Sequence, residues 1–135
     1  PGEKAYVLVS GADCAGQFGL AQMVVQPGYG PPYHVHTRED EVFIITEGAI
    51  EFTIDGEKRL ATAGTTVFAP RNVPHRFQCA SETPAQMFIF ITGDNFERFF
   101  QEWVPYLNSP DFCPEGAAQL AARYGIEFLP EPAAR

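Results

Sequence analysis

Three histidines serve the 135 residues of this chain, and two of them, His34 and His36, are separated by a single residue. In an extended strand, side chains at i and i+2 leave the same face, so two imidazoles at this spacing can point at one spot. A carboxylate, Glu41, follows five positions after His36. That odd offset would turn it to the opposite face of a straight strand, and a turn in the polar run 37–40 would bring it back. Alternatively, Glu41 is one surface member of the acidic run Glu39-Asp40-Glu41. The third histidine, His75, closes a second punctuated segment, GTTVFAPRNVP at 64–74. Three imidazole nitrogens and one carboxylate oxygen form a donor set suited to one divalent ion: iron, manganese, cobalt, nickel, copper or zinc.

Short strands must position these groups. Residues 6–9 and 20–26 are β-rich runs, after which PGYGPP at 27–32 breaks the pattern and delivers the chain stiffly to His34. Runs 41–47 and 49–55 flank Gly48. In the second of them Ile50, Phe52 and Ile54 alternate with Ala49, Glu51 and Thr53, which predicts a half-buried strand. Asp55-Gly56 favours a type I′ hairpin turn, with 57–61 as the return strand. A strand at 65–69, a loop pinned by Pro70 and Pro74, a strand at 75–79 with His75, Phe77 and Cys79 on one face, and a very apolar strand at 86–92 complete the series. Strands at this even spacing, with Gly/Pro turns and no helix between them, predict an all-β antiparallel sandwich or small barrel.

After Gly93 the period changes. Asp94 is suited to cap a helix striped by Phe96, Phe99, Phe100 and Trp103, which Pro105 ends or kinks. A second helix is expected from Pro114 to Tyr124, stopped by Gly125, with Ala117, Leu120, Ala121 and Tyr124 on its apolar face. Both helices are expected to pack on the β unit. The organisation expected is a β-barrel over residues 1–93 with a C-terminal helical extension over 94–135 in the same domain.

The formal charge of −8, with no basic stripe, opposes partners that present phosphates over a wide surface, so neither nucleic acid nor an anionic membrane is expected as a partner. Three cysteines, Cys14, Cys79 and Cys113, share no short spacing and cannot all pair, which fits a reducing compartment. No apolar run approaches membrane-spanning length and the first residues carry no signal-peptide pattern, so a cytoplasmic location is expected.

The two punctuated segments resemble the two motifs of the cupin superfamily. The first family motif, Gly, five residues, His, one, His, three or four, Glu, six, Gly, is met by Gly28, His34, His36, Glu41 and Gly48, a register that favours Glu41 over its acidic neighbours. In the second, Gly64, Pro70 and His75 match, while Asn72 stands where the family usually has Gly and Cys79 where it has Asn. Asn tolerates left-handed backbone, so the first departure is mild. The wording HxHxxEDEVF…EG…PRxVPHxF and the Phe-rich tail are most similar to single-domain cupins of the quercetin 2,3-dioxygenase-like group.

The resemblance implies a double-stranded β-helix (jelly-roll) barrel with one or two short C-terminal helices, and one divalent metal ion held by His34, His36, Glu41 and His75. It implies Fe, Mn, Ni or Co as that ion, Zn being an alternative in protein as purified, and a homodimer. The activity it implies is dioxygenase-type turnover of a small apolar, aromatic or enolic substrate such as a flavonol, with Glu41 as ligand and general base. Met23, Phe43, Ile45, Phe52, Phe77 and Cys79 are candidate pocket-lining residues; in a small barrel the inner face is core and pocket wall at once. The alternatives are a non-catalytic small-molecule-binding or sensing cupin, and a metal-dependent isomerase or cyclase of small natural products. Fold alone does not separate these.

Overall fold

The computed structural model describes residues 2–132; residue 1 and residues 133–135, the outermost ends of the expected barrel and extension, lie outside the described residues. The chain runs β1 (Glu3–Val9), a 3-10 turn (Gly11–Asp13), β2 (Phe18–Val25), β3 (His34–His36), β4 (Glu41–Glu47), β5 (Ala49–Ile54), β6 (Glu57–Thr62), β7 (Thr66–Ala69), β8 (His75–Cys79), β9 (Ala85–Thr92), α1 (Asn95–Leu107), α2 (Pro114–Arg123) and β10 (Ile126–Phe128). The strands form two antiparallel five-stranded sheets, β1-β2-β9-β4-β7 and β10-β3-β8-β5-β6. The expected barrel is thus a jelly roll of two facing sheets.

Period-two patterning decides what faces inward. In β9 every second residue, Ala85, Met87, Ile89 and Ile91, is buried. Opposite, Ile50 and Phe52 of β5 and His75, Phe77 and Cys79 of β8 do the same. Phe43, Phe52 and Phe77 meet at ring-centroid distances of 5.1–6.0 Å and form the middle of the core between the sheets. The Asp55-Gly56 turn has positive φ at both residues (49° and 81°), as a type I′ turn requires.

The C-terminal segment departs from expectation in three ways. Asp94 occupies the cap position but makes no side-chain capping bond; its carboxylate pairs with Arg98 instead. Helix α1 continues through Pro105 to Leu107, because the ring removes one hydrogen bond close to the helix end. The helices also build a second small core of their own. Phe99, Leu120, Ala121 and Ile126 are buried together, with Trp103 and Phe128 packed around them. Phe96 touches both cores and joins them. Ile126 and Phe128 belong to β10, a strand the sequence pattern does not reveal, which pairs with β3.

Candidate metal centre

β3 is three residues long, and all three are buried. It is held on one edge by β10, with Ile126 opposite His36 and Phe128 opposite His34, and on the other by β8, with His34 opposite His75. The i, i+2 spacing sends His34 and His36 to one side, and the cross-strand pairing sets His75 beside them. Ring centroids are 4.9 Å apart for His34–His36, 4.6 Å for His34–His75 and 5.6 Å for His36–His75.

Glu41 comes from the other sheet. The turn between His36 and Glu41 reverses its face, as the odd offset requires, and brings it under the imidazoles as the first residue of β4. That turn is stitched to the loop before β8. Asp40 accepts hydrogen bonds from the Arg71 backbone N–H at 2.8 Å and from its guanidinium at 3.0 Å and 3.3 Å. The Asn72 N–H donates to the His36 carbonyl at 2.7 Å. Asn72 has φ of 67°, so the residue standing at the family's Gly position does adopt the left-handed backbone.

His34, His36, Glu41 and His75 are all buried, and one donor atom from each lies within 4.8 Å of the others. Each imidazole has a partner at Nδ1: the Pro32 carbonyl for His34 (2.7 Å), the Glu39 carboxylate for His36 (2.7 Å) and the Val73 carbonyl for His75 (3.1 Å). Acceptors at those positions require the N–H at Nδ1, so all three Nε2 atoms turn lone pairs inward. The Nε2 atoms of His34 and His36 are 3.0 Å apart, so with both rings neutral their lone pairs face one another, and either a proton on His36 or a cation relieves the contact.

Glu41 Oε2 and His75 Nε2 are 2.7 Å apart, and with the His75 N–H at Nδ1 both are buried without a hydrogen-bond partner. Buried lone pairs aimed at one another repel, and a cation between them removes the conflict. Two donors each about 2.1 Å from one ion and at right angles stand about 3.0 Å apart. The donor chemistry and the spacing both fit a divalent ion, with Nδ1 supports of the kind that orient metal-bound histidines.

The electrostatics of the four groups are uneven. Burial pushes His34 from its ordinary range down to about 3, aided by His75 and His36 and opposed by Glu41 and the Pro32 carbonyl. His36 is raised: burial works against its charge, but the hydrogen bond to Glu39 and the carboxylates of Glu41 and Glu39 outweigh it. Glu41 is lowered, because His75, His36 and His34 together overcome a burial penalty that acts the other way. A proton on His36 and a bound cation would satisfy the same carboxylates, so they compete.

Of the candidate pocket residues, Phe43 borders the cluster, its ring 6.3 Å from that of His75. Met23, Ile45, Phe52 and Phe77 belong to the core between the sheets. Cys79 is at the far end of β8 from His75, and its thiol is turned toward Ser81 and the Thr83 carbonyl. Sequence reasoning missed Glu39, which is 1% exposed and bonded to His36, and Phe96, whose ring is 5.3 Å from the His36 ring.

The cupin-domain family model matches residues 21–91, more than half of the chain and all four clustered residues, so the chain belongs to the cupin family. It is 29% identical over 137 aligned positions to quercetin 2,3-dioxygenase of Bacillus subtilis, covering 96% of this chain and 40% of that protein. The chain therefore spans well under two thirds of that relative's length. Among solved structures, a predicted oxalate decarboxylase from Thermotoga maritima superposes with a TM-score of 0.65 at 22% identity, over 67% of this chain and 80% of its own. A sugar phosphate isomerase of the cupin superfamily from Silicibacter pomeroyi superposes with a TM-score of 0.60 at 25% identity, over 67% of this chain and 59% of its own.

Proposed function

We propose that this cupin is a metal-dependent, dioxygenase-type enzyme acting on a small apolar, aromatic or enolic substrate such as a flavonol. One observation carries most of the weight: three imidazoles and a buried Glu41 bring one donor atom each within 4.8 Å of one another, and of these Glu41 Oε2 and His75 Nε2 have no hydrogen-bond partner. The similarity to quercetin 2,3-dioxygenase along 96% of the chain supports the choice of chemistry. A bound Fe, Mn, Ni or Co ion would supply Lewis acidity and a template for substrate and oxygen.

The chain's own residues do the rest. His34, His36 and His75 hold the ion through Nε2, each ring fixed by its Nδ1 partner. Glu41 is kept as a carboxylate by the surrounding imidazoles and accepts the proton of the substrate hydroxyl. Phe43 and Phe96, which pack against His75 and His36, give the site apolar flanks that exclude water from the proton transfer.

Two measurements test this. His34→Ala or His75→Ala is expected to lower bound metal steeply while the fold is kept; equal metal content in wild type and both variants would sink the ligand assignment. Oxygen uptake with a panel of flavonols and enols, in Fe, Mn, Ni and Co forms, tests turnover. Glu41→Gln should bind substrate without consuming oxygen, whereas no uptake by any wild-type form would overturn the dioxygenase assignment.

The same proposal includes a homodimer. The outer face of the first sheet carries Phe68, Val42, Phe90 and Leu20 as one cross-strand row, with Ile44 and Phe88 in the next. Phe68 is 56% and Ile44 40% exposed. The six named side chains of this patch carry no charge, so a second copy of the chain can bury them without desolvating a charged group.

A further inference from the structure

The three histidines of the cluster are not held in the same way. His34 and His75 rest their Nδ1 atoms on backbone carbonyls two residues earlier, so each is fixed by its own loop. His36 rests on Glu39, and Glu39 does not stand alone. Its second oxygen accepts a hydrogen bond from Asn95 Nδ2 at 3.0 Å.

Asn95 is the first residue of α1. Its amide group also donates to the Tyr124 carbonyl at the end of α2 (2.7 Å), and its Oδ1 accepts from Arg38 at 3.2 Å. One side chain therefore joins the turn after β3, the start of α1 and the end of α2, with both amide N–H groups and the oxygen in use. The same two segments meet again one residue on, where the Thr37 N–H and hydroxyl both donate to the Gly125 carbonyl at 2.9 Å.

A carboxylate buried to this degree is costly unless each oxygen is matched, and no Lys or Arg pairs with Glu39 among the described residues. The match comes from a histidine on one side and the C-terminal segment on the other. We infer that Glu39 and Asn95 are positioning residues of the metal centre, a hydrogen-bonded relay through which the C-terminal helices set how tightly His36 holds an ion. The chemistry is that of a carboxylate bonded to the far nitrogen of a metal-bound histidine: it fixes the tautomer and ring direction and makes Nε2 a stronger donor. Removing the Asn95 amide leaves Glu39 Oε2 buried and unmatched, so the carboxylate turns and His36 loses its support. The inference rests on the metal assignment above.

The test is Co(II) titration of wild type, Glu39→Gln and Asn95→Ala, followed by visible absorption, with circular dichroism to verify the fold. Glu39→Gln keeps the shape and an acceptor but drops the charge. Both variants are expected to bind Co(II) roughly 10–100-fold more weakly and to show a shifted visible spectrum, a signature that lost packing in the tail would not produce. Trp103→Leu, which loosens the tail core without touching the relay, should leave the spectrum unchanged. Should Glu39→Gln fail to fold, Asn95→Ala and Asn95→Leu read the relay from its outer end. Variants that bind within about twofold of wild type with the same spectrum overturn the relay alone. Wild type that binds no Co(II) overturns the metal assignment and the relay with it.

Discussion

Gly30→Ala is the substitution that most sharply joins backbone packing to the metal centre. The segment before His34 runs alongside β8, where the Gly28 N–H donates to the Cys79 carbonyl at 3.0 Å and the Cys79 N–H to the Tyr29 carbonyl at 2.9 Å. A Cβ on Gly30 would overlap the Phe77 carbonyl oxygen and lie 2.8 Å from its carbon and 3.0 Å from Gln78 Cα. All three are backbone atoms, so no side-chain rotation relieves the overlap and the segment must back away. Two hydrogen bonds weakened at about 1 kcal/mol each, plus about 1–3 kcal/mol of overpacking, give a loss of about 3–5 kcal/mol. Because the displaced segment leads directly into His34, which meets His75 at a single register pair, metal affinity should fall as well. Gly28→Ala is the matched control. Its φ of 78° strains an alanine by about 1–2 kcal/mol, but nothing lies within 4 Å of the added carbon, so metal binding should be retained. Urea unfolding and Co(II) titration of both variants decide it. A Gly30→Ala protein no less stable than Gly28→Ala, or with wild-type metal affinity, would refute the reasoning.

Other expectations follow from the same geometry. Phe52→Ala, at a fully buried ring between Phe43 and Phe77, should cost about 3–5 kcal/mol by urea unfolding; a loss below about 1 kcal/mol would contradict the packing described. Metal-free protein should be most stable near pH 6.5. Below that value the unfolded chain protonates His34, whose native value is held near 3, so stability falls with pH at up to about 1.4 kcal/mol per unit. Lowered Glu41 adds a further loss at acid pH, as its carboxylate protonates in the unfolded chain first. Above pH 6.5 the raised His36 acts in the opposite sense, and its contribution fades as pH climbs through its native value. Urea midpoints that stay level between pH 4 and 6.5 would contradict this. Phe68→Glu with Ile44→Glu should convert a dimer to a monomer in light scattering; an unchanged mass would rule out that face as the interface.

The strands and the metal ligands were legible because their signals are local. Alternation over a few residues marks β5, β8 and β9, and motif spacing picks out His34, His36, Glu41 and His75 before any fold is known. What stayed hidden depends on distant partners. Glu39 reads as one more surface acid in Glu39-Asp40-Glu41, and only its bonds to His36 and Asn95, the latter 56 residues away, make it buried. β10 is three residues with no pattern of its own, defined by pairing with β3 ninety or more positions earlier. The Phe stripe of α1 is legible as apolar, but its partners, α2 and β10, lie after it in the chain, so the helix alone does not assign the second core.

The central claim is that four side chains from two sheets share one cation. Anomalous diffraction from crystals grown with Co(II), recorded at the cobalt edge, tests it most directly. One strong peak per chain is predicted, bounded by Nε2 of His34, His36 and His75 and by the Glu41 carboxylate. A cobalt-soaked crystal with no peak there, or with its peak elsewhere on the chain, would contradict it.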